Sequence, residues 1–190
     1  MISLHSNGQV RMRKDICLPV SMEQAWHVVS QVESFACIDF FHRRIRSLER
    51  PGEPPGRILI DHRFLGVQIT REGKIYGWRE GSGYRFTDLS RRDRRCGFPH
   101  VYRFSLRREG TERCSLRIEI NGRWTTGWMP RFLVIFWLRL IFTKIATSAE
   151  QIILMDACKM IWQGRASKMG LRDFHHGLLY LWRRCVYLFS

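Results

Sequence analysis

Apolar and polar positions alternate along most of the first two thirds of the chain. Val10, Met12, Ile16 and Leu18 fall on one side and Arg11, Arg13 and Asp15 on the other. That period of two predicts a half-buried strand. Pro19 ends it. Ser21 is a good helix N-cap, and Gln24 three residues on completes a capping-box pattern. A short helix carrying Met22, Ala25, Trp26 and Val29 should follow, then a second short helix or turn over Glu33 to Phe41. Residues 1–8 read as a loose start. Alternation resumes over 43–49, and the Pro- and Gly-rich stretch 51–56 is a loop. Five further strands are predicted over 57–65, 67–78, 83–90, 99–108 and 113–124, with turn-like separators. The short connections favour antiparallel pairing.

From Trp128 the period changes. Trp128 to Trp162 reads as one long helix, with Pro130 suited to its first turn and Gly164 to its C-terminal cap. Its second half carries an apolar stripe of Ile145, Ala149, Ile152, Ile153 and Met160. Its first half, Phe132 to Phe142, is apolar nearly all round, broken only by Arg139. The tail adds an amphipathic helix after Asp173, with Phe174, Leu178, Leu181, Cys185 and Leu188 at 4-3-4-3 spacing. The expected class is α+β: a curved antiparallel sheet of about seven strands gripping a long C-terminal helix. One domain spans 1–164, and 165–190 is an appended amphipathic extension.

This order resembles the START/Bet v 1-like helix-grip superfamily, the polyketide cyclase and lipid-transfer group. The local match runs from Ile16-Cys17-Leu18-Pro19-Val20-Ser21 through Ala25-Trp26-His27-Val28-Val29 to Gln31-Val32-Glu33-Ser34-Phe35. Gln31 stands where the family usually has Asp. Cys37-Ile38-Asp39-Phe40 stands where it often has a Trp-x-Pro segment, and the tryptophan and proline are missing. The resemblance covers residues 9 to 163 and implies a cavity between sheet and helix for a lipid, sterol, quinone or polyketide, often without catalysis.

Composition sharpens the picture in two places. The formal charge is +15, mostly arginine, which attracts anionic membrane surfaces, acidic proteins or nucleic acid unless it is a plain solvated surface. The six cysteines at 17, 37, 96, 114, 158 and 185 form no C-x-x-C pair or Cys/His cluster. They read as buried thiols in a reducing compartment, with no metal site. No secretory h-region opens the chain, and no run of 18 consecutive apolar residues marks an ordinary membrane span. A cytoplasmic protein, in reach of peripheral membrane attachment, is the expectation.

No nucleophile elbow, Walker A, dinucleotide or zinc-protease motif is present, and no cofactor is expected. Strand parity instead puts His62, His100 and Tyr102 on faces otherwise filled by Ile58, Ile60, Phe64, Phe104 and Leu106. Polar groups there need partners. They would orient a ligand carbonyl or hydroxyl or move a proton; the plainer reading is histidines at the sheet rim, satisfied by backbone or water. Asp39, among Phe35, Phe40 and Phe41, is an acid/base candidate or a simple cap, and Asp61 should face solvent. Phe35, Phe40, Phe64, Trp78, Phe86, Phe104, Trp124, Phe132 and Phe136 suit an apolar pocket lining and equally suit plain core. The Phe132–Phe142 stretch leans to the cavity or its mouth.

Two cationic sites suggest docking. Arg94 and Arg95 belong to an arginine-rich hairpin tip, and Phe174, Leu178, Leu181, Trp182, Arg183 and Arg184 to the tail helix. The tail would fold back, dock on a partner protein or lie in a membrane interface. Nucleic acid is not an expected partner, because the aromatics follow burial parity rather than interleaving with the charges. Three functions remain open: a binder or carrier of a hydrophobic small molecule near an anionic membrane, a small cyclase or dehydratase using His62, Asp39 or His100, and a scaffold subunit.

Overall fold

The computed structural model describes residues 1–49, 56–64, 67–87, 100–124, 127 and 129–166, with side chains to residue 160 apart from that of Phe64. The chain divides into two compact units, Met1–Leu154 and Met155–Ser190, and the first holds every described strand. The elements are β1 (Ile2–Leu4), β2 (Gln9–Leu18), α1 (Met22–Val29), α2 (Val32–Phe35) with a 3-10 turn at Ala36–Ile38, β3 (His42–Ser47), β4 (Arg57–Phe64), β5 (Val67–Arg79), β6 (Gly83–Thr87), β7 (His100–Arg108), β8 (Cys114–Arg123) and α3 (Arg131–Ala166).

All described strands join one antiparallel sheet, ordered β1-β2-β8-β7-β6-β5-β4-β3. The helix-grip α+β architecture is therefore present, with one strand more than the alternation revealed. β1 lies in the segment expected to be loose, and pairs Ile2 with Met12 and Leu4 with Val10. A three-residue strand is too short to show a period. α1 begins as the capping box requires. The Ser21 hydroxyl accepts from the Gln24 N–H, and the Gln24 side chain accepts from the Ser21 N–H.

Inward positions follow strand parity. Val10, Met12, Ile16 and Leu18 on β2, Ile58 and Ile60 on β4, Tyr102, Phe104 and Leu106 on β7, and Leu116, Ile118 and Ile120 on β8 are all buried. α3 supplies the opposing layer through Val134, Leu138, Phe142, Ile145, Ala146, Ala149 and Ile153, also buried. β5 crosses this face closely at Gly73, where a Cβ would stand 2.6 Å from the Thr87 carbonyl oxygen and 3.0 Å from Ile60 Cδ1. Only a residue without a side chain fits there.

Several expectations are displaced. Pro130 sits just outside α3, its carbonyl accepting from the Val134 N–H. The helix runs through Gly164 to Ala166 instead of ending at it. Ile152, a member of the apolar stripe, is 38 % exposed. Of the described cysteines only Cys114 is buried; Cys17 is exposed because it has the outward parity of β2. Arg131–Met160, although never 18 residues without a break, has a mean hydropathy of 1.6 over an 18-residue window and is long and apolar enough to cross a membrane by length and composition.

Candidate ligand site

The sheet register gathers the polar groups of the interior into one cluster. β3 pairs with β4 so that His42 lies opposite His62, and β6 pairs with β7 so that Phe86 lies opposite Tyr102. The His42 and His62 rings meet edge to face at 4.9 Å between centroids. Phe86 stacks on Tyr102 at 4.6 Å. His100, next in parity on β7, meets Tyr102 at 4.9 Å. Asp39 joins them from the end of the 3-10 turn: its Oδ2 accepts the Tyr102 hydroxyl and its Oδ1 accepts the Phe41 N–H at 3.0 Å. Asp39 is 3 % exposed. The register thus brings together four residues that the sequence names separately: Asp39 and Tyr102 are buried, and His62 and His100 are half-buried.

His42 belongs with them and was not singled out. It is buried, and its Nδ1 lies 3.0 Å from the Ala36 carbonyl oxygen. A carbonyl only accepts, so Nδ1 carries the hydrogen and the ring is fixed against the 3-10 turn. The sequence signal was faint: His42 begins a strand whose register shifts between His42 and Arg44, which takes it out of simple alternation.

A second aromatic group continues the same face. Tyr84 and Phe104 meet at 5.4 Å, Phe35 packs on Phe104 at 5.2 Å, and Trp78 stacks on Tyr84 at 5.4 Å. Trp26 abuts Trp78 at 5.2 Å. Glu80 ties the two indoles together, accepting from Trp26 Nε1 at 2.8 Å and Trp78 Nε1 at 3.0 Å. Those two donors, that of Trp26 first, hold the Glu80 carboxyl below its ordinary range. Tyr84 is 1 % exposed, and its hydroxyl has no hydrogen-bond partner among the described residues. Burial pushes that hydroxyl's pKa well up. A buried donor without an acceptor costs free energy and offers an incoming acceptor a strong partner.

Other candidates lie elsewhere. Phe40 is 46 % exposed and tilts against Phe41 at 4.1 Å, with Lys144 Nζ 5.6 Å above its ring. Trp124 borders an open depression of about 390 Å³ with Leu4, His5, Arg131 and Val134. Phe132 and Phe136 are 70 % and 59 % exposed and face away from the sheet, so they do not line its inner face. A helix all round apolar cannot announce which side the sheet covers. Asp61, expected in solvent, is largely covered: its carboxylate accepts from Thr70 Oγ1 at 2.7 Å and pairs with Arg46 at 3.4 Å. The Thr70 hydroxyl first, then the neighbouring arginines, hold its pKa low. The Phe64 side chain, Arg94, Arg95, Phe174, Leu178, Leu181, Trp182, Arg183 and Arg184 lie outside the described residues. Among the described residues no group of three His, Cys, Asp or Glu side chains is arranged to hold a metal ion.

No family model matches the sequence, and no curated protein matches it. Solved structures do match. A START superfamily protein from Mycobacterium smegmatis superposes with TM-score 0.61 at 16 % identity, over 76 % of this chain and 97 % of that one. The ZhuI aromatase/cyclase from Streptomyces sp. R1128 gives 0.58 at 11 %, over 80 % and 96 %. Ara h 8.0201 gives 0.56 at 12 %, over 78 % and 99 %. At such identities the likeness establishes the fold: this chain has the START/Bet v 1-like helix-grip fold.

Proposed function

We propose that this helix-grip chain binds, and carries, a hydrophobic small molecule of lipid, isoprenoid or polyketide type between its sheet and α3, at or near an anionic membrane. The observation that carries the reading is the chemistry of the inner face. It is aromatic and aliphatic over most of its extent and is interrupted by a few polar groups: the Tyr102–Asp39 pair, His42, His62, His100 and the Tyr84 hydroxyl, which has no partner among the described residues. Apolar walls with a few fixed polar groups are what a site for a largely hydrocarbon molecule with one oxygen function requires. The apolar surface removed from water supplies affinity, at about 25 cal/mol per Å². The hydroxyls and imidazoles select orientation. The charge of +15 supports a membrane as the place of loading and release. The fold fits the reading, since its likeness extends to a START protein and to an aromatase/cyclase.

The test is native mass spectrometry of the purified full chain, before and after incubation with a fatty acid, an isoprenoid quinone and an aromatic polyketide in turn. Stoichiometric uptake of one class, weakened in Tyr84→Phe or Tyr102→Phe, is expected. A chain that takes up none of them loses the carrier function.

A second reading comes from one observation, the proximity of the Tyr102–Asp39 pair to two facing imidazoles. Such groups exchange protons readily, as a cyclase or dehydratase needs. Turnover of the polyketide probe, abolished in Asp39→Asn while uptake persists, would favour it.

A further inference from the structure

The N-terminal half of α3 presents an apolar face to the outside. Phe132, Phe136 and Leu140 form one row at four-residue spacing, and Leu133 and Trp137 a second beside it. Their exposures run from 43 to 70 %. The opposite side of the same turns, Val134, Leu138 and Phe142, is 1–3 % exposed. One side is therefore satisfied by the sheet, and the other stays exposed among the described residues. Five large apolar side chains grouped on one face are more than the scatter normal for a soluble surface.

Charge along this half of α3 is of one sign. From Arg131 to Ala149 the helix carries Arg131, Arg139 and Lys144 and no acidic residue; Glu150 is the first. Its first turn has no acid either. Arg131 is engaged in the fold, its guanidinium donating to the Leu4 carbonyl at 2.9 Å, which leaves Arg139 and Lys144 as the cations beside the face. Arg139 and Lys144 stand with Phe136, Leu140, Thr143 and Thr147 around an open depression of about 550 Å³. Apolar residues rimmed by cations, with Trp and Phe among them, match the boundary between phospholipid headgroups and acyl chains.

We infer that this outer face of α3 docks the protein flat on an anionic phospholipid bilayer, with Phe132, Phe136, Trp137 and Leu140 entering the interface and Arg139 and Lys144 meeting headgroup phosphates. The inference rests on the membrane part of the function proposed above, and gives that part a surface. The orientation is set by packing. α3 is long and apolar enough to span a bilayer, yet Val134, Leu138, Phe142, Ile145 and Ala149 are buried in the sheet layer. A helix held along one side lies in the interface rather than across it. Docked this way, the helix that closes the inner face is the element touching lipid, which places the exchange of an apolar passenger next to its source.

The experiment is co-sedimentation of the full chain with vesicles of phosphatidylcholine alone, or mixed with phosphatidylglycerol. The variants are Phe136→Ser/Leu140→Ser and Arg139→Gln/Lys144→Gln, and thermal unfolding and size-exclusion profiles are recorded for each. The wild type should sediment with the mixed vesicles. The apolar pair should weaken that binding at least about tenfold, and the cationic pair by about fivefold per residue on anionic vesicles only, with thermal midpoints unchanged. Binding unaltered by both variants overturns the inference and leaves membrane association to another surface. A wild-type dimer converted to monomer by Phe136→Ser/Leu140→Ser overturns it too, the occupant being a second copy. A marked fall in thermal midpoint without any change in vesicle binding assigns the face to another segment of the chain. Failure to bind either vesicle, with passenger uptake intact, removes docking and the membrane together and spares the ligand site.

Discussion

Two tyrosines of the inner face differ by a single partner, and that difference predicts opposite behaviour. The Tyr102 hydroxyl donates to the buried Asp39 carboxyl. Removing it in Tyr102→Phe leaves a carboxyl oxygen unpaired and should lower stability by about 1–3 kcal/mol in chemical denaturation. The Tyr84 hydroxyl donates to nothing among the described residues. Tyr84→Phe should leave the free protein equally stable or slightly more so, and reveal itself only in ligand uptake. Equal losses in both variants would mean that Tyr84 has an acceptor. Glu80 gives the pH test at this scale. The Trp26 and Trp78 N–H groups favour its charged form, so its folded pKa lies below the ordinary 4.5. Its contribution to stability is therefore complete above 4.5 and disappears as pH falls through the folded value. Thermal midpoints of wild type should drop more steeply than those of Glu80→Gln between neutral pH and pH below 4.5. Parallel curves would show that the indole bonds do not form in solution.

α3 shows how one element divides its tasks. Leu138 and Leu140 are two residues apart and chemically identical, yet one is 2 % and the other 52 % exposed. Leu138→Ala should cost about 2–5 kcal/mol of unfolding free energy, through lost burial and the cavity left behind. Leu140→Ala should stay within about 0.5 kcal/mol. Urea midpoints of the two variants measure the difference, and similar values would place the helix in another rotation. The strands were legible because a period of two distinguishes faces even without a structure: Val10, Met12 and Ile16 against Arg11 and Asp15 needs no tertiary information. The front of α3 was not, because Phe132 to Phe142 offers apolar residues to every direction and periodicity has nothing to select. β1 was missed for the opposite reason: three residues contain no period, and Ile2–Leu4 becomes a strand only because β2 offers it an edge.

Across the molecule the charge of +15 is large for 190 residues. Like charges at low ionic strength repel one another and weaken the compact state, whereas exposed pairs such as Arg13–Asp15 contribute little. Added salt should therefore raise the thermal midpoint from its low-salt value, as screening reduces the repulsion. A midpoint that falls with salt would mean that ion pairs, among them Arg11–Glu119–Arg103, outweigh the net charge.

The sequence by itself determined the class of fold, the inward and outward sides of most strands, the capping box of α1 and the inward parity of Tyr102. Each of these rests on local periodicity or on a few adjacent residues. Tertiary structure alone decided that Tyr102 meets Asp39 across 63 positions, that His42 faces His62, that Tyr84 lacks an acceptor among the described residues, and which side of α3 meets water. These depend on strand register and on the rotation of a helix against a sheet. Such quantities are settled by packing between segments distant in the chain, where a local pattern carries no signal.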